Sequence, residues 1–232
     1  RRVLDLAGVD SVATAVARAL DFAETWALNI QHDEATLAQF IESEIEPNVA
    51  QWERDRHVPM EIFRKAGQAG LCGLMLPIED GGYNLSLQEL VPVFEKLAYS
   101  DMGFAFALVP HNNLANAIAR LAIPAVKSRY LPQLLSGDVI GAFLLTEPEV
   151  GSDASRITTT AELNGDRWFL NGEKSWVTNS NRADLLRVYA QTEPGSGAKG
   201  IAAFLVDTDQ VGVTRTQPYD MLGGHATGVG GF

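Results

Sequence analysis

Two stretches of this sequence set hydroxyls, a large ring and turn-forming residues at spacings that suit a flat, phosphorylated ligand. The first reads Leu144-Leu145-Thr146-Glu147-Pro148-Glu149-Val150-Gly151-Ser152-Asp153, and the second Asn171-Gly172-Glu173-Lys174-Ser175-Trp176-Val177-Thr178-Asn179. Each is an apolar, strand-like run that breaks into a turn carrying hydroxyls. Pro148 and Gly151 favour the turn, and Gly151 permits close backbone approach. The Ser152 hydroxyl then stands beside bare backbone N–H groups, a combination suited to an oxyanion such as a phosphate. Trp176 and Thr178 are two apart, so on a strand both point to one face. There the ring would stack on a planar heterocycle while the hydroxyl bonds its edge. Taken singly, a Thr-Glu-Pro turn is usually only a turn and a lone tryptophan is usually core. The two in order, both at strand-to-turn junctions, carry more weight.

The chain has 232 residues, room for one large or two ordinary domains. Its 46% hydrophobic and 20% charged content is that of a globular chain, not a disordered one. A formal charge of −11 argues against a general nucleic-acid binder, because no basic stripe is available to neutralise phosphates. Any site for a polyanion must therefore be locally basic. The single cysteine, Cys72, excludes an internal disulfide and is compatible with a reducing compartment. Its apolar setting, Leu71-Cys72-Gly73-Leu74, reads as a core thiol. No apolar run is long enough to span a membrane, and Arg1-Arg2 is not followed by the apolar region of a secretory signal. A chain that starts on arginine instead of methionine reads as trimmed or processed at that end.

The elements that must position the two stretches fall into two kinds. Residues 10–30 carry Val12, Val16, Leu20, Ala23, Ala27 and Ile30 at helical intervals. Residues 32–52 form a second helical stretch with a Leu37, Phe40, Ile41 and Ile45 stripe, ended or bent by Pro47. Residues 60–69 make a helix terminated by Gly70, and residues 86–99 another with Leu87, Leu90, Val91 and Phe94 on one face. Residues 101–123 are almost entirely apolar and predict a helix surrounded by protein and interrupted at Pro110. His111, Asn112 and Asn113 within it are either satisfied buried groups or pocket-lining ones. Residues 125–135 close the helical region. From Val139 the period changes, with strand-length runs at 140–145, 167–170, 185–190 and 201–206 and hairpin-type turns at Asn164-Gly165 and Asn171-Gly172. The expected fold is α+β multidomain, an N-terminal all-α helical domain followed by an all-β barrel-like domain. Residues 1–30 form a helical extension, 31–137 the helical domain and 138–232 the β-domain.

The pair of motifs resembles the signature of the acyl-CoA dehydrogenase flavoprotein family, a Thr-Glu-Pro-x-x-Gly-Ser-Asp turn followed by an Asn-Gly-x-Lys-x-Trp-[Ile/Val]-Thr-Asn strand. Thr146 to Asp153 and Asn171 to Asn179 carry the match. The order helix, Gly-Leu-x-Gly-Leu, Pro, acidic pair and Gly-Gly over residues 60–82 also resembles that family's N-terminal half. The resemblance covers residues 32–232 and two of the family's three domains. It implies FAD lying extended between the β-domain and the helical part, and oxidation of an acyl-CoA thioester to a trans-2-enoyl-CoA. A base removes the α-proton while the β-carbon passes hydride to the flavin. Desolvation raises that base's pKa, and hydrogen bonds to the thioester oxygen stabilise the enolate-like transition state.

Carried over by position, the resemblance assigns Phe143, Leu145 and Thr146 to the flavin ring, Phe143 replacing a common tyrosine. Gly151 and Ser152 are assigned to the pyrophosphate, Ser152 also to the substrate's pantetheine. Trp176, with Val177 beside it, flanks the isoalloxazine, and Thr178 bonds near its N5. Glu147 and Asp153 read as turn and strand-end residues. Lys174, Arg182 and Lys199 are candidate charges for coenzyme A phosphates, against the simpler reading of a solvated face. The family's base is a glutamate of its C-terminal domain, which no residue here matches, so no catalytic residue is named. Nor do His and Cys cluster as metal ligands. The glycine-rich tail, 221–232, corresponds to the approach to the last barrel strand, ahead of a C-terminal helical bundle. Implied partners are an acyl-CoA, an electron-transfer flavoprotein or similar acceptor, and further subunits of a homo-oligomer or heteromer. The implied compartment is the cytoplasm, or the mitochondrial matrix in a eukaryote. An acyl-CoA oxidase or flavin monooxygenase on the same fold, or a non-catalytic subunit, are the alternatives.

Overall fold

Leu37, Phe40, Ile41 and Ile45 are all buried, and the chain is helical to 40 and π-helical over Ile41–Ile45, together α1. The computed structural model describes residues 34–232, so the helices expected over 10–30 lie outside the described residues. A turn around Pro47 separates α1 from α2 (Val49–Asp55), as a residue without a backbone donor requires. Then come α3 (Met60–Gln68), α4 (Leu87–Ser100), α5 (Met102–Leu121) and α6 (Pro124–Leu135). A capping box between Ser86 and Glu89 starts α4, and the Asp101 carboxylate accepts the Phe104 N–H at 2.8 Å to start α5.

Helix α5 gathers the helical part, but it is not enclosed. Phe104 meets the rings of Phe40, Trp52 and Phe63, with centroids 5.4–6.1 Å away. One stripe of α5 is open, with Met102, Phe106 and Asn113 exposed. Nor does Pro110 interrupt the helix. On α4, Leu90 and Leu97 are buried while Leu87 and Val91 are exposed, so half of the expected apolar face points outward. The three polar residues divide. Asn112 is buried, donating to the carbonyls of Leu71 and Leu108 and accepting the Leu74 N–H. Asn113 borders an open groove with Leu87, Val91 and Val109.

His111 joins three elements. Its Nε2–H donates to the Leu134 carbonyl at 3.0 Å on α6, and its Nδ1 accepts the Gly141 N–H at 3.2 Å at the start of the sheet. Both bonds together require the neutral ring, and burial pushes its pKa down to about 4. Below the ordinary value of about 6.5 the unfolded chain takes up the proton first. His111 should thus remove stability, on the order of 3 kcal/mol, as pH falls from about 6.5 to about 4. Urea titrations of wild type and His111→Gln across that window check this. An equal slope in the two proteins would refute it.

The strands are β1 (Gly141–Leu144), β2 (Thr160–Asn164), β3 (Arg167–Asn171), β4 (Leu185–Gln191) and β5 (Ile201–Asp207). Along β4, β1 pairs parallel over Leu185–Val188 and β2 joins further on at Thr160↔Gln191. On the other edge β5 runs antiparallel from Leu185↔Asp207 to Gln191↔Ile201. The sheet is therefore mixed, and no pairing among the described strands closes it on itself. Strand β2, which no apolar run announces because only Ala161 of it is buried, hairpins into β3 through Gly165 at φ +65°. The hairpin expected at Asn171-Gly172 does not form. Gly172 instead packs where a Cβ would collide with the Thr159 hydroxyl. No helix among the described residues is long and apolar enough to cross a membrane.

Candidate functional site

Strand β1 ends at Leu144, and the chain then closes a tight turn in which Glu147 and Val150 exchange backbone hydrogen bonds at 2.9 and 3.2 Å. This turn delivers Gly151 and Ser152 to the surface. The stretch after β3 meets it, the Ser175 N–H donating to the Thr146 carbonyl at 2.9 Å. Beneath the meeting point lies an ion pair. Lys174 Nζ donates to Glu147 at 2.8 Å and to the Leu145 carbonyl at 3.1 Å, and both charged side chains are 3% exposed. Glu147 also accepts the N–H and hydroxyl of both Thr158 and Thr159, at 2.6–2.9 Å. Burial alone would push its pKa up, but the bonds from Lys174, Thr159 and Thr158 outweigh it and hold the carboxyl at about 2. Burial pulls the Lys174 ammonium below its ordinary range, against the hydrogen bond and charge of Glu147.

Lys174 therefore offers no charge to a phosphate and belongs to no solvated face. Arg182 likewise belongs to no solvated face. It is buried, donates to the Ala226 carbonyl at 2.8 Å, and lies over the Phe63 ring at 5.4 Å. Burial lowers its pKa to about 10. Lys199 remains exposed.

The second stretch is not a strand, so the alternation expected of Trp176 and Thr178 fails. Trp176 at φ +58° and Asn179 at φ +67° are left-handed, which breaks a two-residue period. Trp176 is 62% exposed, while Thr178 is 8% exposed. The glycine-rich tail holds this irregular backbone. Val177 and Gly230 exchange hydrogen bonds at 2.8 and 3.1 Å, and Lys174 and Phe232 exchange two at 2.9 Å. Asn179 Nδ2 ties the same turn to the Ala107 carbonyl of α5 at 2.8 Å. A bulky residue at positive φ persists only where its surroundings over-determine it, and such strain collects at functional sites.

Of the expected contact residues, Phe143, Leu145 and Thr146 are half-buried along the first stretch, Phe143 tilted against Tyr189 at 5.1 Å. Gly151 and Ser152 are exposed, with nothing within 4 Å of a Cβ built on Gly151. Val177 points away from the open side of this stretch. Its side chain lies in the core with Ala142, Leu144 and Leu186, and its N–H and carbonyl exchange hydrogen bonds with Gly230. The hydroxyls of Thr146, Ser152 and Thr178 form no hydrogen bond with any described residue, although each lies on one of these two stretches. An open indole and hydroxyls without a partner among the described residues suit a flat heterocycle with polar edges. Sequence reasoning missed the Glu147–Lys174 pair and the tail's grip on Val177. Both contacts join distant residues, and no local spacing signals them.

Two domain models of one family match the chain, the acyl-CoA dehydrogenase N-terminal domain over residues 32–138 and the acyl-CoA dehydrogenase middle domain over 142–232. A glutaryl-CoA dehydrogenase of Desulfococcus multivorans is 33% identical over 195 residues, 82% of this chain and 50% of the relative. An acryloyl-CoA reductase (NADH) of Anaerotignum propionicum is 37% identical over 171 residues, 73% of this chain and 43% of the relative. The solved glutaryl-CoA dehydrogenase of Mycobacterium smegmatis, in complex with FADH2, superposes with a TM-score of 0.79. It is 32% identical, over 87% of this chain and 51% of the other. The chain thus spans about half the length of the curated relatives it matches.

Proposed function

This chain belongs to the acyl-CoA dehydrogenase family, and on that footing we propose that it supplies the flavin-holding half of an FAD-dependent oxidoreductase. The reaction is removal of one hydrogen each from the α- and β-carbons of an acyl-CoA thioester, leaving a trans-2-enoyl-CoA. One observation carries this reading: two separate stretches meet through the Ser175–Thr146 bond, with an open indole and with hydroxyls that have no partner among the described residues.

When bound, FAD supplies the hydride acceptor. Trp176 gives its exposed ring for stacking, and Thr146 and Thr178 give hydroxyls to the polar edge of the heterocycle. Phe143 and Leu145 add apolar contact. Gly151 lets the pyrophosphate approach, and Ser152 bonds it or the pantetheine. The Glu147–Lys174 pair holds the two stretches together from below and stays out of the chemistry. We place the division between the helical and β parts at residues 137/138, and the base that takes the α-proton outside this chain's two motif stretches. Electrons pass to an electron-transfer flavoprotein or a similar acceptor. The protein works as a homo-oligomer or heteromer in the cytoplasm, or in the mitochondrial matrix of a eukaryote. Similarity to a reductase supports a second reading, the same site run in the direction of enoyl reduction.

The test is made on the full-length protein that carries this chain. Bleaching of its flavin spectrum by an acyl-CoA without oxygen supports dehydrogenation. Reoxidation of the reduced flavin by an enoyl-CoA, with no bleaching by the saturated substrate, supports the reductive direction. Trp176→Ala is expected to weaken FAD binding by about 5- to 150-fold through lost stacking. Thr178→Ala should lower flavin content or shift its absorbance. Unchanged FAD stoichiometry and spectrum in both variants would remove the placement.

A further inference from the structure

We propose that Tyr219 is a positioning residue, one that presets the Trp176 indole before FAD arrives. This rests on the flavin reading of Trp176 above and adds a residue to which neither motif points. Among the described residues, the aromatic ring that meets the indole is that of Tyr219, with centroids 4.9 Å apart and planes at 68°. In an edge-to-face pair at least one face of the indole stays free, consistent with its high exposure.

Tyr219 reaches this place across the glycine tail. The Tyr219 N–H donates to the Val229 carbonyl at 2.8 Å, and the Thr216 N–H to the Gly231 carbonyl at 2.9 Å. The Gly231 N–H in turn donates to the Thr216 hydroxyl at 2.7 Å. Residues 216–219 therefore lie along 229–231, which themselves lie along 174–177. A Cβ on Gly231 would stand 2.7 Å from the Lys174 carbonyl oxygen and 3.0 Å from the Tyr219 hydroxyl. Glycine at 231 is what lets the three segments close until the two rings touch. The next residue, Asp220, pairs with Arg56 at 2.9 Å, and His225 meets Glu53 at 2.6 Å, which fastens the tail to α2.

An exposed indole without a neighbour samples several rotamers, and a ligand that needs one of them binds more weakly for it. With the tyrosine ring against it, the indole is already ordered. Loss of an aromatic pair of this kind corresponds to about 2- to 10-fold in FAD affinity.

The experiment uses the full-length protein and has two readouts. Without flavin, the near-ultraviolet circular dichroism of Trp176, taken as the difference between each protein and its Trp176→Phe counterpart, reports the order of the indole. With flavin, titration of the FAD-stripped protein gives the dissociation constant and bound spectrum. Tyr219→Leu should lose the Trp176 signal, bind FAD about 2- to 10-fold more weakly and shift its spectrum, whereas Tyr219→Phe should keep all three. An unaltered Trp176 signal in Tyr219→Leu overturns the proposal, as does a lost signal with unaltered FAD affinity. Equal losses in both variants also overturn it, because the ring contact would then not be what acts. Failure of the wild-type protein to take up FAD sinks the flavin reading itself, and that outcome is read without any variant.

Discussion

Replacing Lys174 with methionine should destabilise the protein by about 3–5 kcal/mol, the effect of leaving a buried carboxylate without its charge partner. Glu147 would keep the four donors of Thr158 and Thr159 but lose the cation 2.8 Å away, at a site only 3% open to water. Glu147→Gln should cost a similar amount, since it strands the ammonium of Lys174 instead. The double variant Glu147→Leu/Lys174→Met should cost less than the sum, because neither residue then leaves a bare charge. The acid limb follows from the same geometry. The Glu147 carboxyl sits at about 2, below its unfolded value of about 4.3. Its contribution is thus complete above that unfolded value and is lost as pH falls toward 2. This window lies below the one assigned to His111, so the two losses should appear one after the other. Urea unfolding at pH 7 decides the main point: a loss under about 1 kcal/mol in Lys174→Met would mean that the pair is not holding the loops.

Phe104→Ala should be about as damaging, about 3–5 kcal/mol. The ring is fully buried and stands among three others from α1, α2 and α3. Its removal therefore leaves a cavity where four helices converge, and those helices cannot collapse on it without moving one another. Phe106→Ala, two residues along the same helix, is the control. Its side chain is 51% exposed, and truncation there should cost well under half as much. Thermal or urea unfolding of the two variants separates them. Equal losses would show that α5 is covered on both sides after all.

Trp176 and Thr178 illustrate how far the sequence could be read. Their types, their two-residue spacing and their place after the Thr146 turn marked them as a ligand-facing pair. Their expected presentation, side by side on a strand, is not what folds. Alternation along a strand is a local rule, whereas the left-handed turn at Trp176 is set by bonds to Gly230 and Phe232, more than 50 residues later. The inward turn of the Val177 side chain was hidden for the same reason, since a motif position does not say which way a side chain points. On α4 and α5, periodicity showed which residues are apolar but not which are covered. Leu87, Val91, Met102 and Phe106 look as core-like in sequence as Leu90 and Phe104.

Local chemistry was therefore enough for the order of helices before strands, the bend at Pro47, the buried stripe of α1, the close of α3 before Gly70, and the two stretches that meet. Each depends on backbone propensity or on apolar spacing within a few residues. The tertiary structure alone decided that Glu147 and Lys174 form a buried pair, that Trp176 is turned outward and Val177 inward, and that Tyr219 meets Trp176 across the backbone of the glycine tail. Those outcomes are contacts between residues remote along the chain, made only when the segments that carry them have been brought together.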